Sequence, residues 1–200
     1  MSFGHLTEEM HRVVESFVRG NQVWDLGAGD MGHARTLLQL GATEIVAIDK
    51  DPRPSEERIR VTEAYFTEVT PPNNIQVAFV SWPSNHQLPG LLPLLEVSEV
   101  VIYLGSNTSM DACGWVDLYE HLTRRELLAH VPYWKNSLIV CGDPLPEGDL
   151  RPATPEETAA LTGVMMPFEM AVEVAETVGR AVREEAQARL ADPLDSTLVG

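Results

Sequence analysis

The chain has 200 residues, 44% apolar and 22% charged, which suits one domain with a sizeable core and does not suit a disordered chain. Its formal net charge is −16, which argues against a large footprint on DNA or RNA, because phosphates are bound by cations. The apolar runs are strand-sized, so no transmembrane helix is expected and no membrane partner is implied.

The start, Met1-Ser-Phe-Gly-His-Leu6, lacks the basic and apolar segments of a secretory signal, and the expected setting is cytoplasmic. Cys113 and Cys141 belong to no Cys-x-x-Cys pair, which argues against a zinc or disulfide scaffold, and no metal site is predicted. Leu6, Met10, Val13, Val14, Phe17 and Val18 recur at helical spacing, with Thr7 as a cap and Gly20 past the end. Residues 1–20 are therefore read as an N-terminal helix. Strands are expected at Gln22–Leu26, Glu44–Asp49, Arg58–Phe66, Ile75–Val80, Val97–Leu104 and Ser137–Cys141. Helices are expected at Met31–Leu40, Leu88–Leu95 and Trp115–His130. Short, continuously apolar strands alternating with helices predict a doubly wound, mostly parallel α/β sheet across residues 21–141.

Residues 142–200 differ in character. They hold 12 acidic and 4 basic side chains, giving −8, half of the total charge. Thr154-Pro155-Glu156-Glu157 reads as a helix start, and a longer helix is expected from about Pro167 to Leu190. This segment is read as an acidic, mainly helical extension. It could pack on the sheet, cover a site or form a homodimer interface, and packing is the simplest use.

The segment Asp25-Leu26-Gly27-Ala28-Gly29-Asp30-Met31-Gly32 fits G-x-G-x-x-G. Alone that pattern is weak. Here it follows a strand, opens a helix, and precedes Asp49 at the end of the next strand. Gly27 and Gly29 permit a tight turn and close approach of a ligand, and Asp49 can accept hydrogen bonds from two ribose hydroxyls. Two cofactor classes use such a turn: a dinucleotide, with its pyrophosphate at the helix N-terminus, and S-adenosylmethionine. Asp25, expected at the mouth of the site, and Asp30, inside the loop, oppose a diphosphate and attract a cationic methionine end.

Asp25-Leu-Gly-Ala-Gly29 resembles motif I of the class I methyltransferases, and Val46-Ala-Ile-Asp49 resembles the motif that follows it. The resemblance spans residues 20–141. It implies a Rossmann-like fold and S-adenosylmethionine as cofactor. Asp25, Leu26, Gly27, Ala28 and Gly29 would face its amino-acid part, with Asp49 at the ribose and Lys50 also at the cofactor. Tyr65 stands where the family often carries an acid near adenine; it or Phe66 could flank the ring. Ser81-Trp82-Pro83-Ser84 partly matches the Asn/Asp/Ser-Pro-Pro-Tyr loop of amino-methylating members, so Ser81, Trp82 and Pro83 are the candidate catalytic residues. An amino group is thus one candidate target.

His33 and His86 are candidate general bases, although a lone histidine is more often structural. Asn107 and Asp111 are candidate acceptor contacts, Cys113 has only its location in its favour, and Trp115 is read as core. The methyl acceptor is not identified. Charge favours a small molecule or protein, while the partial loop match leaves nucleic acid open. The alternatives are an NAD(P)-dependent oxidoreductase and a non-catalytic cofactor-binding or scaffolding subunit.

Overall fold

In a computed structural model the described residues are 6–51, 53–84, 87–106, 118, 121–133 and 136–145. They belong to the unit Met1–Arg151, and the remaining unit, Pro152–Gly200, lies outside them. The elements run α1 (Glu8–Val18), β1 (Gln22–Leu26), α2 (Gly32–Gln39), β2 (Glu44–Asp49), β3 (Ile59–Glu63), a 3-10 turn (Phe66–Glu68), β4 (Ile75–Ser81), α3 (Leu88–Glu96), β5 (Ser98–Ser106), β6 (Arg125–Tyr133) and β7 (Asn136–Pro144).

The strands form one seven-stranded sheet in the order β3-β2-β1-β4-β5-β7-β6. Strands β3, β2, β1, β4 and β5 pair in parallel, and β7 lies antiparallel between β5 and β6. The order runs outward from β1 in one direction and from β4 in the other. A crevice therefore opens between β1 and β4 at their carboxyl ends, the usual ligand position in such sheets. The expected doubly wound, mostly parallel sheet is the observed one.

Strand alternation sorts the core onto two faces. One face gathers Val23, Ile45, Ala47, Val77, Phe79, Ile102, Leu104, Leu138 and Val140 with Met10, Val14 and Val18 of α1 and Ala34 and Leu37 of α2. Thr7 starts α1 by accepting a hydrogen bond from the Met10 N–H at 3.2 Å. Helix α3 is apolar nearly all round and buries Leu88, Gly90, Leu91, Leu94 and Leu95.

Two elements depart from the sequence reading. The third strand stops at Glu63, and Phe66 enters a 3-10 turn instead. Leu118 and residues 121–123 are helical, but Arg125–His130, expected to continue that helix, belongs to strand β6. Its residues Arg-Glu-Leu-Leu-Ala favour helix by propensity. Pairing with β7 overrides that preference, with Leu127 opposite Cys141 and Ala129 opposite Val140.

Candidate functional site

Strand β1 delivers the chain into a turn where Gly27 and Gly29 both have positive φ, 90° and 53°. A side chain is disfavoured at both. The turn spends the amide hydrogens of Gly27, Ala28, Gly29, Met31 and Gly32 internally. Gly27 and Ala28 donate to the Ile48 carbonyl at 2.9 and 3.3 Å, and Met31 donates to the Ala28 carbonyl at 2.9 Å. Gly29 donates to Asp49 Oδ2 at 2.8 Å, and Gly32 donates to Asp30 Oδ1 at 3.1 Å. A pyrophosphate nest needs such donors unspent. Here two of their acceptors are carboxylates, and the Gly32 N–H holds the Asp30 carboxyl below its usual range.

Asp49 closes β2. Oδ1 accepts from the Asp51 N–H at 2.9 Å, and Oδ2 takes the Gly29 N–H. A carboxylate has about four lone-pair sites, so capacity for two hydroxyl groups remains.

Asp25 does not stand at the mouth of the turn. It is 0% exposed. It shares a strand face with Val23, in register between Ala47 of β2 and Phe79 of β4. Neither carboxylate oxygen has a hydrogen-bond partner among the described residues. Burial, reinforced by the charge of Asp49, pushes its pKa up to about 7, and the Ala34 N–H opposes this without making a hydrogen bond. A sealed, unpartnered acid lies behind a turn that already carries Asp49.

Beside the turn runs a cleft lined by Gly27, Asp49, Lys50, Ala64, Tyr65, Phe66, Thr67 and Gln87. The 3-10 turn forms one wall. It is held by Glu68, whose Oε2 accepts from the Tyr65 N–H at 2.9 Å. Tyr65 is 60% exposed, while Phe66 is buried. Helix α3 supports this wall from behind. A Cβ on Gly90 would press on the Thr67 nitrogen and sit 2.6 Å from the Phe66 carbonyl carbon. Sequence reasoning placed Gly27, Asp49, Lys50 and Tyr65 at the cofactor, and these four line one cleft. Leu26 and Ala28 are buried beside it. Ala64, Thr67 and Gln87 were missed. For Gln87 a signal existed, since Ser84-x-x-Gln87 has the spacing of a capping box.

Ser81, Trp82 and Pro83 do not line this cleft. They leave the carboxyl end of β4, next to β1, with Ser81 in register with Leu104. Trp82 takes a left-handed backbone, φ 49°, a strain of about 1–2 kcal/mol. Its N–H donates to the Leu104 carbonyl at 2.9 Å, and its indole Nε1 is buried without a partner among the described residues. Ser84 is turned toward α3, its N–H and hydroxyl both donating to Gln87 Oε1 at 2.9 and 2.7 Å. The His33 ring packs on Phe79, centroids 5.2 Å apart. His86, Asn107, Asp111, Cys113 and Trp115 lie outside the described residues. Among the described residues no group of three or more His, Cys, Asp or Glu could hold a metal, and no helix is long and apolar enough to cross a membrane.

No protein-family model matches the chain, and no curated protein matches it by sequence. Solved structures do match. The N-methyltransferase NodS from Bradyrhizobium japonicum superposes with a TM-score of 0.53 at 10% identity, over 68% of this chain and 95% of its own. The 23S rRNA methyltransferase ErmE gives 0.50 at 16% identity, over 86% and 83%. The ribosomal protein L11 methylase from Lactobacillus delbrueckii subsp. bulgaricus gives 0.50 at 15%, over 70% and 80%. The fold is that of the class I methyltransferases. Within that fold these three differ in the acceptor their names state, so the fold leaves the acceptor open.

Proposed function

We propose that this protein is an S-adenosylmethionine-dependent methyltransferase. The observation that carries the reading is the pairing of a sealed Asp25, without a partner among the described residues, with a turn whose glycine amide hydrogens are already spent. That turn has little to offer a diphosphate, and its carboxylates favour a cation. An ammonium at the turn supplies the positive charge that Asp25 and Asp49 lack. The Asp49 oxygens have room for ribose hydroxyls, and the Ala64–Thr67 wall supplies an apolar face for adenine. The residues present fit the cofactor on these grounds.

The bound cofactor would supply a methyl group on a good leaving group, so the protein's part is binding, orientation and exclusion of water. Strand β4 sets the acceptor side. We assign Ser81, Trp82 and Pro83 to that side, because their loop leaves the sheet next to the glycine turn. With Ser84 committed to Gln87, the loop has no aromatic residue in the place where amino-methylating relatives stack their target. Its charge favours a small molecule or protein as acceptor, in a cytoplasmic setting.

Calorimetric titration with S-adenosylhomocysteine and with NAD tests the reading. S-adenosylhomocysteine is expected to bind and NAD is not; the reverse result would transfer the site to the oxidoreductases. Asp49→Ala should weaken S-adenosylhomocysteine by about 2–3 kcal/mol, roughly thirty- to a hundredfold, with circular dichroism unchanged. Equal affinity in that variant removes the ribose assignment. Radiolabelled methyl transfer into a fractionated cell extract then identifies the acceptor class, and no transfer at all points to the non-catalytic alternative.

A further inference from the structure

Gln87 lines the cleft and also holds the Ser81–Ser84 loop, and its amide has only one way round. A backbone N–H can only donate, so the atom that meets the Ser84 N–H at 2.9 Å is the Gln87 oxygen. The Ser84 hydroxyl donates to the same oxygen at 2.7 Å. The Gln87 main chain returns the contact, its N–H donating to the Ser84 carbonyl at 2.9 Å. Two hydrogen bonds fill the lone pairs of Oε1. What Gln87 has left is its Nε2 amino group, which donates to no described residue, on a half-buried side chain lining the cleft.

We infer that Gln87 is a specificity-determining residue of the cleft, presenting a fixed hydrogen-bond donor to the base of the bound nucleoside. Ser84 is the positioning residue that aims it. The cleft thereby selects a ring edge that accepts a hydrogen bond, as the unprotonated nitrogens of adenine do, over an edge that presents N–H. This rests on the adenosine reading of the cleft. It also joins the base to the loop after β4, since one side chain touches both.

The test is calorimetric titration of S-adenosylhomocysteine into the wild type and Gln87→Glu. The glutamate keeps an acceptor for Ser84, so the melting temperature should hold, but it replaces the donor with a second acceptor. Affinity is expected to fall about tenfold or more, the equivalent of one lost hydrogen bond. A folded Gln87→Glu that binds as tightly as the wild type overturns the inference and leaves the cofactor reading standing. Failure of the wild type to bind overturns both. A second measurement does not depend on how the variant folds. Analogues with N1, N3 or N7 of the adenine replaced by C–H are titrated into the wild type, and one of them should lose about tenfold. If none does, the inference fails.

Discussion

Arg125 opens β6, with its guanidinium at the start of β5, and Asp25 lies one residue before the end of β1; both are out of water, 1% and 0% exposed. Arg125 has acceptors for both terminal nitrogens, and only its Nε has none among the described residues. Its guanidinium donates to the carbonyls of Leu95 at 3.0 Å, Gly142 at 2.7 Å, and Ser98 at 2.9 and 2.8 Å. Two of those residues stand at the carboxyl end of α3 and just past it, where a cation complements the helix dipole. Burial still lowers the arginine's pKa, and pushes His121 nearby down to about 4, leaving that imidazole neutral. Asp25 has no such arrangement. The difference teaches how to read a buried charge. One that the fold itself satisfies is structural, and one that the fold leaves unsatisfied marks a place for something from outside.

Arg125→Ala attacks the satisfied side and should have the largest effect. It leaves several carbonyls unpaired in the interior and is expected to lower stability by about 3–5 kcal/mol in urea denaturation. S-adenosylhomocysteine affinity, measured where the variant is folded, should not change. A loss below about 1 kcal/mol would remove Arg125 from its structural role.

Asp25→Asn attacks the other side, and pH gives the sign. The unfolded carboxyl titrates at 3.8 and the folded one at about 7. Between those values the folded chain keeps a proton that the unfolded chain has lost. Stability from this group is therefore full below the unfolded value and declines as pH rises through the folded one, by several kcal/mol in total. Asparagine removes that decline. The variant should be more stable than the wild type at about pH 8, with a smaller gain at about pH 5, yet bind S-adenosylhomocysteine about tenfold more weakly. If both proteins lose stability in parallel across that range, Asp25 is not the group responsible.

Gly90→Ala sharpens the contrast with the smallest expected effect. Its new methyl group presses on the turn that carries Phe66 and Thr67, at an expected cost of about 1–3 kcal/mol. Unlike Arg125→Ala, it should also weaken cofactor binding, because the displaced turn is a cleft wall. Unchanged affinity would show that the wall tolerates the shift.

The glycine turn, β1, β2, β4 and β5 were legible because apolar runs, turn residues and the acid at the end of β2 each point the same way. Strand β6 was not. Its residues favour helix, and only pairing across β7 makes them a strand. Asp25 was recognised as important but misplaced at the mouth. Its side chain shares the inward face of Val23, which strand alternation dictates once β1 is accepted. Gln87 was missed as a site residue because its spacing from Ser84 signals only a helix start, while the fold alone brings the start of α3 beside residues 64–67. Histidine 86, the 107–117 segment and the chain after residue 145 lie outside the described residues.

The Arg125 arrangement also sets an order of events during synthesis. Leu95 is made thirty residues before the guanidinium that completes it. Until the hairpin of β6 and β7 emerges from the ribosome, the carbonyls at that end of α3 must stay solvated. The hairpin of β6 and β7 therefore completes the end of α3, and a nascent chain halted before residue 125 would leave the Leu95 and Ser98 carbonyls to water.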